Sequence, residues 1–303
     1  MADLQRIEHA HVHVENLDDA VAFYTDAMGL VELERDGDTV YLGTGLTDNF
    51  DLAVTEGGTG IEHTAVRASD ESVVDDYETR LADEGVPVER VDGADPGQET
   101  GVRFEMPSGM PLEVVTVSDT PYAHAEVSNP ARAGHAPSCL DHVQLFTPDI
   151  HADMTFLRDT VGMPISDIAG PMDDIEVAFA RCNTIHHDVA LKAMPDDGPD
   201  HAGLHHVAWG FDDIGHIKLF LDTVAGRGME FERGIGRHYA GNNLYAYIWE
   251  PGGNRFELCS EAAVVKTDEP NHAPDYETAT TAWGPDAPPS FSEGSGLVTH
   301  DDR

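Results

Sequence analysis

Two octets decide the fold: Phe23-Tyr-Thr-Asp-Ala-Met-Gly-Leu30 and Phe156-Leu-Arg-Asp-Thr-Val-Gly-Met163. They superpose without a gap when Glu8-His9-Ala-His-Val12 is set against Asp141-His142-Val-Gln-Leu145. A strand-like opening, a helical octet and a closing glycine therefore occur twice, and glycine is the residue that ends a helix in a left-handed turn. Such self-similarity signals an internal repeat. Working outward, Phe50-Asp-Leu-Ala-Val54 matches His187-Asp-Val-Ala-Leu191, and Ile61-Glu-His63-Thr-Ala65 matches Leu204-His-His206-Val-Ala208. Each of the latter pair leads into an amphipathic helical stretch and a glycine (Gly85, Gly228). Each then ends in a hairpin, Pro107-Ser-Gly-Met-Pro-Leu-Glu113 or Pro251-Gly-Gly-Asn-Arg-Phe-Glu257. The chain reads as an α+β protein of four βαβββ modules, roughly residues 7–54, 61–117, 140–193 and 204–260. Paired in order, they give an N-terminal domain over 1–117 and a C-terminal domain over 140–275. Residues 118–139, rich in Pro, Ala, Ser and Gly, read as a linker. Residues 276–303 read as a tail anchored by Trp283, with about the last dozen residues disordered.

The composition narrows the partners. Among 303 residues there are 57 acids against 17 Lys and Arg, a formal net charge of -40. Such a field repels nucleic acid and anionic membrane. Lysine is confined to Lys192, Lys218 and Lys266, a balance that resembles haloarchaeal cytosolic proteins adapted to molar salt. Cys139, Cys182 and Cys259 are few and make no C-x-x-C pair, which argues for a reducing compartment. Without a long apolar run or a signal sequence, a soluble cytoplasmic protein is expected.

The repeat also places chemistry. His142 and His206 occupy equivalent places on the first strands of paired modules, and Glu257 lies on the last strand of the fourth. Symmetry turns these side chains toward one shared cavity. Two imidazoles and a carboxylate on one face of a metal suit non-haem Fe(II) oxygen chemistry, and zinc could also take them. His205, one residue before His206, is expected on the opposite strand face.

The stretch Gly236-x-His238, then seven residues, Ala246-Tyr247-x-x-Glu250-Pro-x-Gly253-x-x-x-Glu257 resembles the signature of extradiol ring-cleavage dioxygenases. It departs from the usual pattern at Ala246, where a larger apolar residue is common. With Leu140-Asp-His142, His186-His187-Asp-Val-Ala-Leu191 and Leu204-His-His206-Val-Ala208, the resemblance runs from about residue 4 to residue 275. It points to the two-domain vicinal-oxygen-chelate type, closest to catechol 2,3-dioxygenases. The resemblance implies a glyoxalase-like fold of two similar barrel-like domains. It implies Fe(II), with Mn(II) as an alternative, on His142, His206 and Glu257. It makes His187, His238 and Tyr247 catalytic: His187 beside O2, the other two on the substrate oxygens. The implied reaction is extradiol cleavage of a catechol by O2 in a homo-oligomer, perhaps a tetramer. Plain or alkyl catechols are preferred over charged ones. The rivals are a metal-dependent isomerase or transferase of the glyoxalase kind and a non-catalytic binding protein on the same fold.

The N-terminal half repeats the triad as His9, His63 and Glu113. There Phe50 replaces His187, Arg103 replaces Tyr247, and no histidine stands between His63 and His124 to match His238. That set is expected to be an empty or weakly occupied relic. A first prediction concerns salt. Self-repulsion at -40 should loosen the fold at about 0.1 M KCl, where the Debye length is about 10 Å, and less at molar salt, where it is about 3 Å. Melting followed by circular dichroism should shift upward between these conditions; equal melting temperatures would reject the halophilic reading.

Overall fold

In a computed structural model of the chain, residues 3–118, 129–195, 198 and 200–297 are described. Residues 119–128 of the expected linker lie outside them. The first module runs β1 (Leu4–Val14), α1 (Leu17–Ala22), β2 (Val31–Asp36), β3 (Thr39–Gly43) and β4 (Leu52–Glu56). The second runs β5 (Gly60–Ala68), α2 (Glu71–Asp83), β6 (Val88–Arg90), β7 (Gln98–Glu105) and β8 (Pro111–Val117). The third is β9 (Cys139–Thr147), α3 (Ile150–Thr155), β10 (Ile165–Ala169), β11 (Val177–Ala180) and β12 (Val189–Ala193). The fourth is β13 (Gly203–Gly210), α4 (Ile214–Gly226), β14 (Arg233–Arg237), β15 (Leu244–Trp249) and β16 (Arg255–Ser260).

Local chemistry sets these boundaries. Asn16, Asp70, Asp149 and Asp213 each cap a helix by accepting a backbone N–H of its first turn. Gly29, Gly85, Gly162 and Gly228 end the helical segments at φ between 79° and 83°, where a side chain would be strained. In the repeated octets, α1 and α3 continue as π-helical turns over Phe23–Ala27 and Phe156–Val161. No helix among the described residues is long and apolar enough to cross a membrane.

The first and last strands of each module pair in parallel, and paired modules join antiparallel through β1·β5 or β9·β13. The C-terminal sheet has the order β14-β15-β16-β13-β9-β12-β11-β10. Tyr247 on β15 and Phe179 on β11 line the same cavity. In a flat sheet those strands would stand about 24 Å apart. The sheet therefore curls around its inner face.

Equivalent aspartates lock the halves together. Asp188 accepts from Cys182 N in its own loop and from Ile7 N on β1. Asp51 accepts from Thr44 N and reaches Leu140 N on β9. One continuous apolar core joins both sheets, with the Phe23 and Phe256 rings 5.5 Å apart across the halves.

Of the last dozen residues, expected to be disordered, those described, up to Leu297, are ordered. Asn271–Ala273 (β17) extends β10, Tyr276–Thr280 forms α5 against the site, and Gly296–Leu297 (β18) pairs with β5 of the N-terminal sheet. Residues 298–303 lie outside the described residues. Trp283 is half exposed, and the buried anchor is Phe291, packed on Tyr247 and His205. The polar composition hid this order because backbone carbonyls hold the segment. Arg255, fully buried, donates to Ser290 O, Glu293 O and His205 O and pairs with Glu232 at 2.6 Å. Removing one partner of a buried ion pair costs roughly 3–5 kcal/mol. Arg255→Ala should lower the unfolding free energy by about that much in denaturant titration; a loss under 1 kcal/mol would show that the clamp is not structural.

Candidate metal centre and active site

Three adjacent strands supply the triad: His142 from β9, His206 from β13 and Glu257 from β16. All three are buried. His142 Nε2 lies 3.2 Å from His206 Nε2, and Glu257 Oε2 lies 3.3 Å and 3.0 Å from these two atoms. Metal bonds of about 2.1 Å at right angles separate their donors by about 3.0 Å. The donor triangle therefore matches one face of an octahedral ion, with the remaining positions left to the cavity.

Each imidazole is turned by what its other nitrogen meets. His142 Nδ1 donates to Asp141 Oδ1 at 2.7 Å. His205 Nε2 must donate to the Phe291 carbonyl, so His205 Nδ1 accepts from His206 Nδ1 at 2.7 Å. His186 Nε2 must donate to Asp167 Oδ2, so a neutral His186 accepts at Nδ1 from His187 Nδ1 at 2.9 Å. His238 Nδ1 donates to Thr280 O at 2.6 Å. In all four rings Nδ1 carries a proton and turns Nε2 toward the cavity, and His142 alone holds a second proton, on Nε2, until a metal displaces it. His238 Nε2 then accepts from the Tyr247 hydroxyl at 3.0 Å. The His187 ring lies 4.0 Å from that of His142.

Burial raises the Glu257 carboxyl, but its contacts with the imidazoles of His142, His206 and His238 outweigh it and hold it well below the usual range. Burial keeps His187 neutral and pushes the Tyr247 phenol well above its usual value. Burial also pulls His142 down, yet Asp141 and Glu257 outweigh it and lift the ring to about 9. His206 falls to about 4, again led by burial. Without a metal the triad therefore keeps one proton, on His142, facing Glu257. A divalent cation would replace that proton, as the chemistry of this donor set requires.

The six residues expected at the site, His142, His206, Glu257, His187, His238 and Tyr247, come together in one cavity with about 370 Å³ of empty space, its mouth included. His205 corrects the strand-face argument. A β-bulge between Leu204 and His206 puts one extra residue on β13, so His205 and His206 share the inner face. His186, Asp141 and Asp167 were not singled out from sequence; the doubled histidines 186–187 and 205–206 were the available signal. Tyr276, Ala279 and Thr280 of the tail helix also line the cavity.

The model of the Glyoxalase/Bleomycin resistance protein/Dioxygenase superfamily matches residues 6–114 and 139–258. The chain belongs to this superfamily. The two matched segments lie one on each sheet, so the superfamily unit is the module pair. Within the superfamily the chain is similar to manganese-dependent 2,3-dihydroxybiphenyl 1,2-dioxygenase of Geobacillus genomosp. 3, 27% identical over 87% of each chain. It is 29% identical to the iron-dependent extradiol dioxygenase of Rhodococcus jostii over 61% of this chain and 63% of that one. A variant of homoprotocatechuate 2,3-dioxygenase from B. fuscum superposes with a TM-score of 0.87 at 25% identity, covering 99% of this chain and 84% of the other.

Residues that orient a metal-binding histidine typically contribute 10–100-fold to metal affinity. His205→Ala should therefore lose its metal to a chelator at 10–100-fold lower chelator concentration while remaining folded. Unchanged metal retention would remove His205 from that role.

Proposed function

We propose that the chain is an extradiol dioxygenase that cleaves neutral catechols beside the diol. The observation that carries this is the flanking of the triad by His187 on one side and the His238–Tyr247 pair on the other. An isomerase of the glyoxalase kind needs the triad but not all three flanking groups, and a binding protein needs neither.

Fe(II) or Mn(II) held by His142, His206 and Glu257 would bind both catechol oxygens and O2 side by side, making their reaction effectively intramolecular. Relatives with both metal requirements support either ion. The protein groups handle the protons. His238 offers a bare Nε2 to a catechol hydroxyl through Tyr247, whose phenol stays protonated until it relays. His187, neutral and with Nε2 bare, takes up and returns a proton on the dioxygen side. Both oxygen atoms enter a 2-hydroxymuconic semialdehyde-type product, and the sum of catechol and O2 needs no reductant.

The lining favours an uncharged substrate. Phe179, Ala190, Ala240 and Ala279 supply an apolar wall, and no Lys or Arg is among the lining residues. Arg237 is paired with Glu261 and Arg255 with Glu232. A plain, alkyl or aryl catechol suits this wall better than a carboxylate-bearing one. The acidic composition supports a salt-rich cytoplasm as the compartment.

Catechol in air should be consumed with one O2 per ring and give a yellow product. His187→Phe should keep its metal and lose turnover by roughly 10²–10⁴-fold. Formation of cis,cis-muconate, or full turnover without O2, would reject the proposal.

A further inference from the structure

The N-terminal half carries a second set of ligating side chains at the place equivalent to the candidate metal centre. His9 on β1 and His63 on β5 bring their Nε2 atoms to 3.2 Å, the separation found for His142 and His206. Glu113 on β8 lies 3.9 Å from His9 Nε2 through Oε2 and 3.7 Å from His63 Nε2 through Oε1. A fourth member stands where the other half has His238. Asp95, in the β6–β7 connection, is 3.9 Å from His9 Nε2 and 4.0 Å from His63 Nε2. The position carries a carboxylate in place of an imidazole.

The carboxylates are held from outside. Tyr41 donates to Asp95 Oδ1 at 3.1 Å, and Arg103 Nε donates to Glu113 Oε1 at 2.6 Å. Asp95 Oδ2 and Glu113 Oε2 lie on the side of His9. Glu113 is fully buried, and its Oε2 has no hydrogen-bond partner among the described residues. A buried carboxylate oxygen without a donor calls for a cation.

We propose that His9, His63, Asp95 and Glu113 hold a structural divalent cation, zinc by the chemistry of the donors. Arg103 does not exclude it. One arginine, two carboxylates and a divalent ion sum to +1, the same as Glu257 with its ion. Geometry separates the two sites. Bonds of about 2.1 Å put tetrahedral donors about 3.4 Å apart. The separations here run from 3.2 to 4.0 Å when both Glu113 oxygens are counted, and one ligand atom from each of the four residues falls within 4.8 Å of the rest, wider than in the C-terminal triad. Four protein ligands close the coordination sphere, which is the mark of a structural zinc. Phe50 lies 4.6 Å from the His9 ring, where the other half sets His187 against His142, so the group that handles a proton at that place is replaced by a phenyl ring. The expected empty relic becomes an occupied site that has lost chemistry and kept binding.

The test is a metal count on full-length protein expressed with both iron and zinc supplied. Two metals per chain are expected, one of them zinc. His63→Ala should hold one metal and keep ring cleavage, whereas His206→Ala should lose the other metal and the activity. Protein grown on Co(II) guards against a misfolded variant. It should hold two cobalt ions and show the intense visible bands of four-coordinate Co(II), absent in Asp95→Asn. One metal per chain in the wild type, or a Co(II) spectrum without those bands, overturns the proposal. The count is independent of ring cleavage, so its failure is distinguishable from failure of the dioxygenase reading.

Discussion

The C-terminal site depends on where four imidazoles keep their single proton. A neutral histidine has one donor and one acceptor, and the two are interchangeable in water. Here the choice is taken away at Nδ1. Asp141 and the Thr280 carbonyl can only accept, and they fix His142 and His238 directly. His186 and His205 could donate or accept, but Asp167 and the Phe291 carbonyl demand their other proton. A cavity ringed by lone pairs is a place for a metal and for substrate protons. The same rings with the opposite tautomers would repel both.

That arrangement ties secondary structure to chemistry at unexpected points. The bulge on β13 looks like a local irregularity of the ladder, yet it alone brings His205 behind His206. The tail looks like an appendage, yet it supplies the Phe291 carbonyl, the Thr280 carbonyl and part of the cavity wall. Arg255 connects these features, since its guanidinium holds His205 O and two tail carbonyls together. The strong negative charge of the chain therefore says little about its interior, where Arg255 is paired with Glu232 and Asp188 is satisfied by backbone N–H groups.

Repetition in residue identity and spacing carries the four modules, their order and the triad of His142, His206 and Glu257, while His187, His238 and Tyr247 break the repeat and are implied only by the family resemblance. The octet ending in Gly162 and the pairing of Glu113 with Glu257 needed no coordinates. What sequence reading missed was set by backbone geometry or by distant partners. Alternation of strand faces put His205 outside, and a single inserted residue reversed that. Asp95 was overlooked because a carboxylate stands where the comparison sought an imidazole. The order near the end of the tail rests on main-chain carbonyls, which carry no compositional mark.

The reach of the tail also sets an order in time. Along the chain, 86 residues separate His205 from Phe291, the group that fixes its proton. A ribosome delivers them in that sequence. While the later segment is still being made, His206 has a neighbour free to rotate its hydrogen bond, and α5 does not yet cover the cavity. The nascent protein can therefore complete the strands that carry His142, His206 and Glu257 before the carbonyl that sets the His205 tautomer, and through it the His206 proton, has been made.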